Sequence, residues 1–129
     1  MTQPVRPVLV VEDDADCREM LAVLVLSLGY NVVTAANGAE ALQLTRTAHP
    51  CLILLDLSMP VMGGKEFRAR QVADPEISAI PVVIVSAQHS AREDARDLGV
   101  QGCIPKPLDF QKVAATVARL CSPSERTRN

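Results

Sequence analysis

CLILLDLSMPVMGG, residues Cys51 to Gly64, is the stretch whose reading decides the fold. It opens as an unbroken Leu/Ile run. A run of this length suits a strand buried on both faces, as in a parallel sheet. The run ends in one carboxylate, Asp56, and then breaks into a Pro/Gly loop. Asp56 therefore falls at the C-terminal tip of the strand, where open α/β sheets bind their ligands. Asp is also common as a turn residue where strands end. The stretch alone leaves both roles open.

Working outward, the same unit recurs on both sides. Val8 to Val11 is a β-branched apolar run and reads as a buried strand. Glu12, Asp13 and Asp14 follow at once, with Asp14 as the helix N-cap. A helix starts near Ala15, with Cys17, Leu21, Leu24, Val25 and Leu28 on one face, and Gly29 ends it. Asn31 to Ala35 is a second strand. Asn37 and Glu40 form a capping arrangement for the next helix, which Pro50 stops after His49.

Beyond the Cys51–Gly64 stretch, a polar helix from about Lys65 to Ala73 is broken by Asp74-Pro75. Pro81 to Ser86 is a fourth strand. Ser90 and Glu93 predict a capping box for a helix over Ala91 to Leu98, closed by Gly99. Gly102 to Ile104 is a short fifth strand, followed by Pro105-Lys106-Pro107. Asp109 caps a last helix whose expected inner face is Phe110, Val113, Val117 and Leu120.

Five strands thus alternate with five helices. That pattern predicts right-handed βαβ units and an α/β fold with a parallel sheet. The expected architecture is a flavodoxin-like (βα)5 doubly wound sheet with strand order 2-1-3-4-5. The 129 residues read as a single domain, with a core from about 8 to 120. Residues 1–7 and 122–129 are expected to be flexible tails.

Composition narrows the function classes. Hydrophobic residues make up 48% of the chain, but aromatics only 2%, so Leu, Val, Ala and Ile must fill the core. A net charge of -2 gives no polyanion-binding footprint, which disfavours direct nucleic-acid binding. No apolar run is long enough to cross a membrane, and the N-terminus lacks a signal-peptide layout. A cytoplasmic protein is expected. Cys17, Cys51, Cys103 and Cys121 are scattered without a Cys-x-x-Cys pair. They read as small buried thiols in a reducing compartment rather than as a metal site or disulfide framework. His49 and His89 are isolated and read as loop or helix-end residues.

The strand order gives the charges a common address. Glu12 and Asp13 leave the tip of the first strand and Asp56 the tip of the third. These strands are neighbours in the expected order, so three carboxylates meet in one crevice. Ser86 ends the fourth strand and Lys106 follows the fifth, on the same edge. Clustered carboxylates repel and call for a cation. Hard oxygen ligands suit Mg²⁺, which keeps waters and contacts phosphate oxygens. A carboxylate nucleophile, a divalent metal, a hydroxyl and an ammonium are the parts needed for phosphoryl transfer through an aspartyl-phosphate.

The chain resembles the receiver domain of two-component response regulators. The motifs that carry the resemblance are Val10-Val11-Glu12-Asp13-Asp14, Asp56-Leu57-Ser58-Met59-Pro60-Val61-Met62-Gly63-Gly64, Val85-Ser86-Ala87 and Lys106-Pro107. It extends from about Val8 to Leu120. It implies that Asp56 is the phosphoacceptor, served by a sensor histidine kinase or a histidine phosphotransfer protein. Asp13 matches the direct ligand of Mg²⁺ (or Mn²⁺), Glu12 its second acidic partner, and Ser58 the position whose backbone carbonyl completes the metal site. Ser86 matches the switch hydroxyl and Lys106 the phosphate-binding lysine, with a cis Lys106-Pro107 bond. Ser58 and Gln88 fall where the family tunes phosphoryl lifetime. Phosphorylation is expected to alter a surface that binds a downstream protein target. One departure stands out: Cys103 replaces the Tyr or Phe usual three residues before the lysine.

Other classes fit less well. A haloacid-dehalogenase-like phosphatase needs a second Asp two residues after the nucleophile, where this chain has Ser58. A flavin binder needs a hydroxyl-rich phosphate loop and aromatics. The expected protein is a signalling switch rather than a turnover enzyme. The Met1 start and short polar tail suggest a stand-alone or phosphorelay receiver. The alternatives are a fragment of a hybrid histidine kinase or larger regulator, or a degenerate receiver used only for docking.

Overall fold

Each apolar run read as a strand becomes one. The structure is a computed structural model that describes residues 5–59 and 62–127. In chain order its elements are β1 (Val8–Val11), α1 (Ala15–Ser27), β2 (Val32–Ala35), α2 (Gly38–Ala48), β3 (Leu52–Leu55), α3 (Gly64–Ala73), β4 (Val82–Ser86), α4 (Ala91–Asp97), β5 (Gly102–Pro105) and α5 (Phe110–Leu120). The strands form one parallel sheet in the order β2-β1-β3-β4-β5, as expected. Val11 lies opposite both Ala35 and Leu55, so the ends of β1, β2 and β3 are level.

Alternate residues of each buried strand point to opposite faces of the sheet. Val8, Val10, Leu52, Leu54, Val83 and Val85 pack with Leu21 and Val25 of α1 and with Val113 and Val117 of α5. Leu9, Val11, Ile53, Leu55 and Ile84 pack with Leu42 of α2, Phe67 of α3 and Ala95 of α4. Helices therefore cover both faces, which is why the central strands contain no polar residue before their tips.

Most punctuation behaves as the sequence implies. Asp14 caps α1 through the Asp16 amide, and Asn37 caps α2 through the Glu40 amide. Gly29 has φ +94° and Gly99 φ +65°, each just past a helix end. Asp109 accepts from the amides of Gln111 and Lys112 at the start of α5. The Lys106-Pro107 bond is cis.

Four expectations are corrected. The Ser90/Glu93 capping box does not form. Ser90 has ψ 1° rather than an extended backbone, and its hydroxyl bonds the Asp94 carboxylate instead. Phe110 is 47% exposed, because at the first position of α5 it projects off the end of the inner face. The described part of the C-terminal tail is ordered. Pro123–Glu125 forms a 3₁₀ turn, Arg126 bridges Tyr30, and the buried Glu125 binds Arg6, so residue 6 is also tied down. Residues 1–4 and 128–129, also expected to be flexible, lie outside the described residues. Finally, Cys51 and Cys121 are joined in a disulfide with a Cα–Cα distance of 5.5 Å. The scattered spacing concealed that the start of β3 and the end of α5 meet below the sheet. Cys17 and Cys103 are free thiols.

Candidate functional site

Level strand ends bring the acidic residues together. Glu12 continues β1, where its amide bonds the carbonyl of Ala35, and Asp56 continues β3, where its amide bonds the carbonyl of Val11. Each side chain is set by the last rung of the sheet. Glu12 and Asp56 are buried, 4% and 8% exposed, while Asp13 is exposed. Glu12, Asp13 and Asp56 each offer one carboxylate oxygen within 4.8 Å of the others. Asp14, Ser58, Ser86, Gln88 and Lys106 line the same crevice, whose volume is about 280 Å³.

The crevice floor depends on a close backbone approach. A β-carbon on Gly64 would come within 2.8 Å of the Asp56 carbonyl oxygen, so the first turn of α3 can sit against β3 only because residue 64 is glycine. The Gly64 amide donates to the Leu57 carbonyl and closes the loop. The Ser58 amide donates to Asp56 Oδ1 at 3.2 Å and orients the carboxyl. Pro60 and Val61 of the motif lie outside the described residues.

Lys106 reaches the crevice from the end of β5. Its ammonium lies 2.5 Å from Glu12 Oε1. Ser86 is buried, and its Oγ accepts from the Gln88 amide at 3.0 Å. The Gln88 side chain then crosses the crevice mouth and donates to Ser58 Oγ at 2.8 Å. Every expected site residue is thus in one crevice.

Charge crowding leaves its mark on titration. Burial, a proton shared with Glu12 and the Glu12 charge push the Asp56 carboxyl up to about 7, against the Ser58 amide and the Lys106 charge. Burial also pushes Glu12 up, but the shared proton from Asp56 and the Lys106 ammonium outweigh it and hold it below its usual range. Burial pulls Lys106 down, yet the bond to Glu12 and the nearby carboxylates raise it above the ordinary value. Lys106 is therefore a fixed cation here, and Asp56 is the group near its midpoint at neutral pH.

Sequence reasoning missed Arg18. Its guanidinium donates to the carbonyls of Glu12 at 2.9 Å and Asp13 at 3.4 Å, which fastens the acidic turn from outside. One signal was available: a cation in the first turns of α1 opposes the helix dipole, so it needs a local acceptor.

The donor set fits a small hard cation. Octahedral oxygen ligands at about 2.1 Å from Mg²⁺ stand about 3 Å apart in cis and about 4.2 Å apart in trans. Three carboxylate oxygens within 4.8 Å of one another reach that arrangement with small side-chain rotations. A cation there would also relieve the repulsion that now holds a proton on Asp56.

The fold and the site define a doubly wound α/β domain with an acidic crevice at its topological switch point, opposed by a lysine and a hydroxyl. Residues 8–118 match the family profile of the response regulator receiver domain. The chain belongs to that family. It is 34% identical to the transcriptional regulatory protein CpxR homolog of Haemophilus influenzae, over 94% of this chain and 54% of the relative, so it spans about half of that protein's length. It is 32% identical to the polar-differentiation response regulator DivK of Brucella ovis, over 87% of this chain and 93% of the relative. Among solved structures, chemotaxis protein CheY4 of Vibrio cholerae superposes with a TM-score of 0.81 at 28% identity, covering 90% of this chain and 98% of that one. Receiver domains act in two-component signalling, bind Mg²⁺ at an acidic pocket, and interact with histidine kinases or phosphotransfer proteins and downstream targets.

Proposed function

We propose that this chain is a phosphoacceptor switch in which Asp56 takes a phosphoryl group from a phosphohistidine on a sensor histidine kinase or histidine phosphotransfer protein. The observation that carries the reading is the convergence on Asp56. Its carboxyl is buried beside Glu12 and Asp13 within 4.8 Å, in a crevice also lined by Ser86 and Lys106. Glu12, Asp13, Asp56 and the backbone carbonyl of Ser58 would hold Mg²⁺ or Mn²⁺, which when bound would supply positive charge for the phosphoryl oxygens.

An Asp56 oxygen attacks phosphorus, the phosphorus–nitrogen bond breaks, and the imidazole leaves with the bonding pair and takes a proton from solvent. The product is an acyl phosphate. Lys106, which now pairs with Glu12, turns to a phosphoryl oxygen, and the Ser86 hydroxyl donates to another. The protein is a switch and not a turnover enzyme. Its altered surface engages a downstream protein target, and it acts in the cytoplasm as a single receiver domain. It acts as a stand-alone or phosphorelay receiver. The likeness to a regulator about twice as long supports a second reading, the receiver part of a larger protein.

Acetyl phosphate with Mg²⁺ tests the site. Intact-mass spectrometry is expected to show one added phosphate that hydroxylamine removes, and none on Asp56→Asn. Phosphate retained by that variant overturns the assignment.

A further inference from the structure

The three crevice acids are not anchored alike. The Glu12 carboxylate is held by the Lys106 ammonium, and the Asp56 carboxylate by the Ser58 amide at 3.2 Å. Among the described residues, the exposed Asp13 carboxylate accepts from no N–H group and pairs with no cation. Its place therefore depends on the backbone of the Glu12–Asp14 turn. Beyond the Glu12 amide, which bonds the Ala35 carbonyl, the sheet no longer holds that turn.

Arg18 supplies what the sheet does not. Its half-buried side chain donates from Nη1 to the carbonyls of Glu12 at 2.9 Å and Asp13 at 3.4 Å, and its backbone amide donates to the Asp14 carbonyl at 2.9 Å. One residue thus takes three consecutive carbonyls of the turn. Across a trans peptide the C=O and N–H point in opposite directions. Drawing the Asp13 carbonyl toward Arg18 aims the Asp14 amide the other way, where it faces Glu12 Oε2 at 3.5 Å. The guanidinium makes no ion pair among the described residues, although Glu12, Asp13, Asp14 and Asp16 are close to it in sequence. Its contacts are those of a clasp on the backbone rather than of a counter-charge.

We propose that Arg18 is a positioning residue for the metal: by fixing the peptide planes of the Glu12–Asp14 turn, it places the Asp13 carboxylate for ligation and so sets the affinity of the crevice for Mg²⁺. The inference rests on the phosphoacceptor reading only for the reaction that the metal serves. Two effects of Arg18 oppose each other. As a fixed positive charge near the crevice, it repels a divalent cation. As a clasp, it removes freedom that the turn would otherwise lose on binding the ion, which favours binding. The clasp prevails in this geometry. The charge is half-exposed and screened by solvent, whereas the hydrogen bonds act on the backbone of the ligands themselves.

The probe is Mg²⁺ alone, titrated into the full chain without a phosphodonor and followed by the amide NMR signals of Glu12, Asp13 and Ser58. Arg18→Met keeps the apolar stem and removes the donors and the charge. It is expected to weaken Mg²⁺ binding roughly tenfold. Arg18→Lys, whose single ammonium can stand in for Nη1, should stay within about threefold of the wild type. Arg18→Gln, a neutral donor, should fall between the two. With acetyl phosphate, the Mg²⁺ concentration for half-maximal phosphorylation of Arg18→Met should rise by the same factor, while the rate at saturating Mg²⁺ stays near that of the wild type. A merely structural role would lower the urea midpoint and leave the Mg²⁺ affinity of the folded protein unchanged, and that result would overturn the proposal. So would tighter Mg²⁺ binding by Arg18→Met or Arg18→Gln, the signature of charge repulsion alone. If Arg18→Met does not fold, Arg18→Gln against Arg18→Lys makes the same comparison. If Asp56 takes no phosphate but Arg18→Met still weakens Mg²⁺ binding, the positioning role stands and the phosphoacceptor reading falls. If phosphate is accepted and no variant changes the Mg²⁺ affinity, the reverse holds.

Discussion

Burial and the adjoining Glu12 carboxyl hold Asp56 up at about 7, so in the metal-free protein this carboxyl titrates near neutrality. The unfolded chain loses the same proton near pH 4. Between those values the native state binds more protons, and stability falls as pH rises through the window. Without divalent cations, the thermal midpoint is therefore expected to drop from pH 5 to pH 8, and Mg²⁺, which competes with the proton, should restore it. Asp56→Asn keeps the shape and removes the charge. It should flatten this pH dependence and exceed the wild type at pH 8 by about 2 kcal/mol, discounted for partial solvation. A slope in Asp56→Asn equal to that of the wild type would refute the assignment. At this scale, Glu12, Asp13, Asp56, Ser86 and Lys106 were legible because each sits within two residues of a strand end, so topology alone gathers them. The Lys106–Glu12 pair, the Arg18 clasp and the Gln88–Ser58 bond were not. They depend on where long side chains turn after leaving the backbone, and linear spacing does not encode that.

Helix α4 is only seven residues long, and no side chain caps its N-terminal amides. The capping box fails at Ser90, and the C-terminal anchor comes from another element. Arg68 of α3 is buried and donates to the carbonyls of Leu98 and Gly99 at 3.0 Å each, and to Gln71 Oε1 at 2.8 Å. Gln71 in turn donates to the carbonyls of Ile77 and Ile80. This network satisfies the carbonyls just past the end of α4 and those of the connection into β4 from one polar row on α3. Removing Arg68 leaves those acceptors without a partner, at a cost of about 2–4 kcal/mol. Arg68→Met is expected to lower stability by that amount in urea denaturation. Amide exchange should quicken in α4 before the sheet responds. Protection lost evenly across the molecule would show instead a general packing defect. Helix α3 read as polar in the sequence for this reason. Its polar residues are partly internal, a fact its weak apolar periodicity could not distinguish from a solvated face.

At the scale of the whole molecule, function and fastening occupy opposite edges of the sheet. The acidic crevice lies at the C-terminal ends of the strands. Below the N-terminal ends, the Cys51–Cys121 disulfide joins residues separated by 70 in sequence. There too, Arg6 binds Glu125 at 2.8 Å, the Arg126 side chain donates to the Leu28 carbonyl, and the Thr127 hydroxyl donates to the Gly29 carbonyl. The tail escaped the sequence reading because its contacts are few, polar and long-range. The disulfide escaped because spacing does not report which ends of an α/β sheet meet. A bridge closing a loop of this length restricts the unfolded chain by about 4 kcal/mol in the chain-entropy view. Both cysteines are at most 2% exposed, so a reductant reaches them only after local opening. Thiol titration of the non-reduced, denatured protein should therefore find two thiols, those of Cys17 and Cys103. Cys51→Ala/Cys121→Ala should shift the urea midpoint down by the equivalent of about 2–4 kcal/mol. Reductant should reproduce that shift in the wild type and leave the double variant unchanged. Because the staple is remote from Asp56, both forms should accept phosphate at the same rate below their unfolding temperatures. Four titratable thiols in the native preparation, or phosphate acceptance lost with the disulfide while the fold persists, would contradict this separation of fastening from chemistry.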